Sequence, residues 1–149
     1  LRSIHERIEF KGHKRVELNF PLVADMSMEV ARKYGMIQAG VSTTAAVRAV
    51  FFIDPMATIR AVIYYPMQLG RNFDELKRVL VGLQTIDKYH VALPADWRPG
   101  DDIIVPAPTT YDGTDKSAEG MKCYDWYFCT KPLAMDKADK EKAKAYEKA

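Results

Sequence analysis

A single arginine heads an otherwise apolar run, Val47-Arg48-Ala49-Val50-Phe51-Phe52-Ile53. A guanidinium stays charged at every pH a protein meets, so seating one on a sheet face is costly unless an anion meets it. That anion is either a carboxylate pairing at the strand end or a reacting group. In the second case one unit charge at about 4 Å and an effective dielectric of about 20 is worth roughly 4 kcal/mol, enough to draw a thiol from about 8.5 to below neutral. Two thiols are present, Cys123 and Cys129, bracketing Tyr124-Asp125-Trp126-Tyr127-Phe128. Six residues of helix separate two Cα atoms by about 9 Å and six of extended strand by about 20 Å, whereas a disulfide needs about 4.4 to 6.8 Å. The pair is therefore expected not to bond without a sharp bend. Two readings stand: buried, inert thiols among aromatics, or at least one partner for a cysteine elsewhere. Arg71 is the second candidate cation, placed near a strand end where ligands gather, or else a surface arginine on a connecting loop.

The elements that must position these groups can be read from periodicity. Ala46 to Ile53 and Thr58 to Tyr65 are apolar runs separated by Asp54-Pro55-Met56-Ala57, which predicts a hairpin. Both runs are apolar on both faces, so helices are expected on both sides of the sheet. Asn72 with Glu75 three residues on forms a capping-box pattern, and Phe73, Leu76, Val79, Leu80, Leu83 and Ile86 supply a buried stripe that should pack on the hairpin. Upstream, Asp25 or Ser27 can cap a short helix that ends on Arg32 and Lys33 before Gly35. Ahead of it, Lys11 to Arg15 reads as a connector. Leu1, Ile4 and Ile8 recur at helical spacing from the first residue with no cap before them, which predicts a helix cut in its middle and a chain that is the later part of a longer protein. From about residue 90, Pro94, Pro99, Pro106 and Pro108 break regular elements while Trp97, Ile103, Ile104 and Val105 demand burial; this reads as an arm that docks on something. Met135 to Ala149 suits a solvated helix or a frayed tail.

Composition excludes several classes. With 149 residues, 48% of them hydrophobic, the chain can bury one sizeable core. Its 22 basic and 20 acidic residues are interspersed, leaving a net charge of +2 and no footprint for nucleic acid. No apolar run approaches the roughly 20 residues that span a bilayer, so a soluble intracellular protein is expected. Two cysteines do not make a closed zinc site without help from His5, His13 or His90, none of which is near them in sequence, so no metal is expected.

Three segments together resemble the peroxiredoxins, in particular the one-cysteine type and its archaeal thioredoxin-peroxidase-like relatives with extra C-terminal cysteines. They are Phe20-Pro21-Leu22-Val23-Ala24-Asp25, Thr43 through Pro55, and Ile63-Tyr64-Tyr65-Pro66 through Glu75. Pro94-Ala95-Asp96-Trp97 and Gly100 through Pro106 resemble the opening of the family's C-terminal domain, and Lys122 through Cys129 resembles the cysteine pair of the archaeal branch. The resemblance implies an α/β, thioredoxin-like layered fold, here its C-terminal portion over residues 1–89, followed by a C-terminal arm or dimerisation domain over residues 90–149. It implies a thiol-dependent peroxidase that reduces hydrogen peroxide and organic hydroperoxides through a cysteine sulfenic acid, in antioxidant defence, without metal, haem or other cofactor. Arg48 aligns with the arginine that lowers the peroxidatic thiol's pKa and meets the peroxide oxygens, Arg71 with a second arginine of that pocket, Cys129 with a resolving cysteine and Cys123 with an auxiliary that exchanges with it. The implied partners are a thioredoxin-like thiol reductant and a second copy of the chain, as homodimers closed into a ring of five or six dimers (a decamer for five), in the cytoplasm. The family's Pro-x-x-x-Thr-x-x-Cys stretch does not occur in these residues, so the peroxidatic cysteine is expected upstream. The alternative is an oligomeric structural or chaperone-like shell that keeps the fold without the chemistry.

Overall fold

A computed structural model describes residues 7–38, 40, 46–107 and 120–147. The expected opening helix, Leu1 and Ile4 included, lies largely outside them, as does the Thr43-Thr44-Ala45 part of the resemblance. The chain forms two compact units, Leu1–Arg48 and Ala49–Ala149.

In the first unit the stretch expected as a connector is a small hairpin. Strand β1 (Glu9–Phe10) pairs antiparallel with β2 (His13–Lys14), and Lys11 and Gly12 turn the chain at φ 49° and 78°, the left-handed region a tight turn needs. Helix α1 (Glu29–Lys33) is as short as expected. Of the two candidate caps, Asp25 serves: its carboxylate accepts the Val30 and Ala31 N–H groups at 3.1 and 2.8 Å. The chain leaves the helix through Gly35 at φ 64°, and the Val47 N–H then donates to the Met36 carbonyl at 2.9 Å.

Strand β3 (Arg48–Ile53), which lies in the second unit from Ala49 on, and β4 (Ile59–Tyr65) form the expected hairpin. Asp54 makes its turn, because one carboxylate oxygen accepts both the Met56 and Thr58 N–H groups at 2.9 Å. Among the described residues the sheet these strands form has two members, and β4 alternates: Ala61, Ile63 and Tyr65 are half-buried while Val62 and Tyr64 are exposed. The expected cover on both faces is thus not present within the described residues. Helix α2 (Phe73–Tyr89) starts at Asn72, whose side-chain oxygen accepts the Asp74 and Glu75 N–H groups. The reciprocal half of the capping box is not made, since Glu75 turns instead to Arg78 in a two-bond ion pair at 2.6 and 2.9 Å. Arg78 holds the Glu75 carboxyl below its ordinary range. Leu76, Val79, Leu83 and Ile86 are half-buried as expected, but Phe73 is 74% and Leu80 48% exposed, so the stripe is narrower than its spacing suggests. Arg60 of β4 ties the hairpin to α2 through a forked pair with Asp87 at 2.9 and 2.8 Å.

Beyond α2 the proline-rich stretch is not a bare arm. Ile103–Val105 is a strand, β5, in an antiparallel sheet of order β5-β7-β6, with β6 at Lys122–Asp125 and β7 at Phe128–Lys131. Trp97 and Ile103 are buried within this unit. The tail is also not simply solvated. Helix α3 (Lys137–Glu147) buries Ala143 and is held against α2 by Lys88, whose ammonium donates to Asp136 and Asp139 at 2.7 Å each, while the Tyr89 hydroxyl donates to Asp139 at 2.7 Å.

This latch should depend on pH. Hydrogen bonding to Asp136 and Asp139 holds the Lys88 ammonium above its ordinary value, and Lys88 in turn holds Asp136 below the usual carboxylate range. The lysine's contribution is complete below its unfolded value of about 10.4 and is lost as pH rises through the folded one; the aspartate's is complete above its unfolded value of about 3.9 and is lost as pH falls through the folded one. The Ala143 methyl resonance is therefore expected to hold steady between about pH 5 and 9 and to drift toward its random-coil position in acid, sooner at high salt because the pair is exposed. A resonance that stays fixed until the whole unit unfolds would refute the latch.

Candidate functional site

Sequence spacing allowed a Cys123–Cys129 bond only across a sharp bend, and the fold supplies that bend. The pair sits in neither a helix nor a single strand: β6 and β7 fold back through Asp125, Trp126 and Tyr127, so residues six apart in sequence become cross-strand partners. Their Cα atoms are 4.0 Å apart and the two sulfurs are joined in a disulfide. The sharp bend is built locally. The Trp126 N–H donates to the Asp125 carboxylate at 2.7 Å, the Tyr124 and Phe128 rings stack at 5.2 Å, and the Lys122 ammonium lies 4.8 Å above the Tyr124 ring. A register shift between Cys123 and Asp125 takes up the odd residue, the irregularity a bulge supplies.

The two cysteines are not equivalent. Cys129 lies on the central strand of its sheet, facing Val105 across one ladder and Cys123 across the other, and is 8% exposed. Cys123 lies on β6, an edge strand among the described residues, and is only half-buried. The nearby Thr130 is buried, its hydroxyl 3.4 Å from the Asp102 carboxylate. The expectation had named the cysteines but missed the sheet that distinguishes them.

The cations are placed differently from the sulfurs. Arg48 opens β3 and is exposed, so the burial inferred from its apolar neighbours is not observed; at the first position of a strand in a two-membered sheet the long side chain reaches water. Arg71 is exposed on the loop between β4 and the Asn72 cap. The fold therefore brings Cys123 and Cys129 together. Among the described residues of the second unit, a cavity of about 500 Å³ lies between α2, α3 and Trp97, one of about 660 Å³ between the β3–β4 turn and α2, and one of about 500 Å³ beside Trp97, Tyr124 and Phe128. None of these is lined by Arg48, Arg71 or either cysteine. Among the described residues no helix is long and apolar enough to cross a membrane.

Comparison with known proteins matches two parts of the chain. Residues 3–62 match the AhpC/TSA family, and residues 82–120 match the C-terminal domain of 1-Cys peroxiredoxin. A peroxiredoxin of Methanosarcina mazei is 49% identical over 135 residues, covering 88% of this chain and 62% of the relative. One of Hyperthermus butylicus is 42% identical over 137 residues, covering 89% and 58%. Among solved structures, a cysteine-to-serine mutant of peroxiredoxin 6 of Arenicola marina superposes with a TM-score of 0.67 at 31% identity, covering 83% of this chain and 60% of that one. The yeast mitochondrial 1-Cys peroxiredoxin gives 0.58 at 31% identity, covering 71% and 53%. The chain thus spans about three fifths of the length of the curated relatives it matches. The mixed helices and sheets are those of an α/β, thioredoxin-like fold. With both of its matched segments drawn from one family and its relatives at this level of identity, the chain belongs to the peroxiredoxins.

Proposed function

We propose that this chain is part of a thiol peroxidase that reduces hydrogen peroxide and organic hydroperoxides. The observation that supports it most is the Cys123–Cys129 disulfide in a chain of this family. In the proposed cycle a peroxidatic thiolate from a segment outside these 149 residues attacks one peroxide oxygen; the O–O bond breaks, the other oxygen leaves as hydroxide, and the sulfur becomes a sulfenic acid. Cys129 condenses with it, releasing water. Cys123 then displaces the peroxidatic sulfur from Cys129 and closes the pair, and a dithiol reductant of the thioredoxin type reopens it. Arg48 meets the thiolate and the peroxide oxygens, and Arg71 is assigned to the same chemistry as a second cation. The same reading keeps the division into residues 1–89 and 90–149, a cytoplasmic setting, and homodimers paired along β4 and closed into rings of five or six. The exposed apolar residues of β4 suit such pairing. A monomer in sedimentation would remove the assembly from the proposal.

The test uses the complete protein. Reduced protein given one equivalent of hydrogen peroxide is expected to consume it and to end with a Cys123–Cys129 disulfide in its peptide map, while Cys129→Ser should stall with its peroxidatic sulfur oxidised and no such disulfide. Peroxide left unconsumed would refute the catalytic reading and favour a shell without chemistry.

A further inference from the structure

We infer that an incoming thiol reopens the Cys123–Cys129 disulfide at the Cys123 sulfur, so that the mixed disulfide forms on Cys123 and Cys129 is the sulfur released. The two sulfurs are joined by one bond but sit in different surroundings. Cys123 is on edge strand β6 and half-buried; Cys129 is on β7, hydrogen-bonded on both sides, and 8% exposed. The Cys129 Sγ also lies 3.7 Å from the Asp125 carbonyl.

Exchange requires a thiolate to approach one sulfur from the side opposite the other, so the rate depends on which sulfur can be reached as well as on the two thiol pKa values. Reaching Cys129 would mean parting β7 from β5, where Val105 pairs with it. Reaching Cys123 asks only for access to an edge strand. Burial makes Cys129 the poorer leaving group, since the thiolate is disfavoured away from water. This slows the reaction without redirecting it, because the other sulfur is covered.

The step balances. The reductant's thiolate forms a bond to Cys123 as the Cys123–Cys129 bond breaks, and the electron pair of that bond leaves on Cys129, which takes a proton from water and then has the Asp125 carbonyl as an S–H acceptor. The second thiol of a dithiol reductant attacks the reductant's own sulfur, frees Cys123 as a thiolate, and leaves the reductant oxidised by two electrons. On this account closing the pair shields Cys129, and only its partner faces the donor.

The inference rests on the proposed peroxidase reading for the disulfide's place in a cycle, and its test is independent of peroxide. The oxidised full chain, freed of reductant, is given glutathione as a monothiol, quenched in acid at early times, alkylated and mapped by peptide mass spectrometry. Glutathione on Cys123 with alkylated Cys129 is expected to exceed the reverse by at least about tenfold, and the preference should vanish in about 8 M urea, where access is equal. An even distribution, a preference for Cys129, a preference that survives urea, or an oxidised chain with two free thiols would each overturn the inference. A protein inert toward peroxide would sink the peroxidase reading and leave this ratio unchanged, so the two failures are distinguishable.

Discussion

Replacing Arg48 by alanine in the complete protein is expected to slow its reaction with hydrogen peroxide by about 10² to 10³, the loss found when a charge-stabilising donor is removed from a reacting centre. The size of that loss distinguishes two roles. If the guanidinium acted only on the thiol's pKa, lowering it from about 8.5 by some three units would raise the thiolate fraction at pH 7 about thirtyfold, but thiolate nucleophilicity falls with pKa at a slope of about 0.4 to 0.5, which takes back roughly twentyfold. Those two effects nearly cancel. The expected loss must therefore come from charge developing on the peroxide oxygens, and it should persist above about pH 9, where an ordinary thiol is ionised without help. A defect that disappears at high pH would refute this role for Arg48, and an undiminished rate at pH 7 would remove it from the site. Arg48→Lys, which keeps the charge but not the planar fork, should recover only part of the rate. The exposure of Arg48 sets a condition on all of this. At about 4 Å in water a unit charge is worth only about 1 kcal/mol, against roughly 4 at an effective dielectric of 20. The proposed role thus requires that the rest of the protein cover this arginine.

The features legible in the sequence were those set by local chemistry. Two apolar runs around Asp54-Pro55 pointed to the β3–β4 hairpin, and Asn72 marked the start of α2, because a side-chain acceptor two and three residues ahead of a free N–H is a local geometry. The β5-β7-β6 sheet was not legible. β5 has three residues, too few to show a period of two, and prolines follow it closely. The β6–β7 turn uses Asp125, Trp126 and Tyr127, with none of the Asn-Gly or Asp-Gly chemistry that marks a hairpin, so nothing local announced the bend that the cysteine pair needs. The docking of α3 was hidden for another reason: Lys88 and Asp136 are 48 residues apart, and a Lys-rich tail with alternating acids looks the same whether it is solvated or latched. Arg48 failed in the opposite direction. Its apolar neighbours implied burial, but a strand's first residue in a two-membered sheet has room to reach solvent.

Trp97→Ala is expected to destabilise the second unit by about 3 to 5 kcal/mol, the range for deleting a buried aromatic that its surroundings cannot fill. Trp97 is 1% exposed and the largest fully buried side chain among the described residues. Its position argues for the upper part of that range. The indole lines both the cavity beneath α3 and the groove beside Tyr124 and Phe128, so removing it would join two existing spaces instead of leaving one that neighbours could close. The loop around it is also committed to its present shape. The indole N–H donates to the Asp101 carbonyl at 3.2 Å, the Arg98 N–H donates to the Asp101 carboxylate at 2.8 Å, and Asp96 and Gly100 hold φ of 60° and 109°. Against the roughly 5 to 15 kcal/mol that holds a typical domain, such a loss would leave little margin. Trp97→Phe is the measurable companion, because it keeps most of the volume and removes only the indole donor, and about 1 kcal/mol is expected for the carbonyl it leaves unpaired. Urea midpoints at constant slope read both changes, and the exposed Trp126 remains as a fluorescent reporter in either variant. A Trp97→Ala loss below about 1 kcal/mol would mean that the wall between the two cavities collapses freely, and that this tryptophan is not what holds α3, the Pro94–Asp101 loop and the cysteine hairpin in one unit.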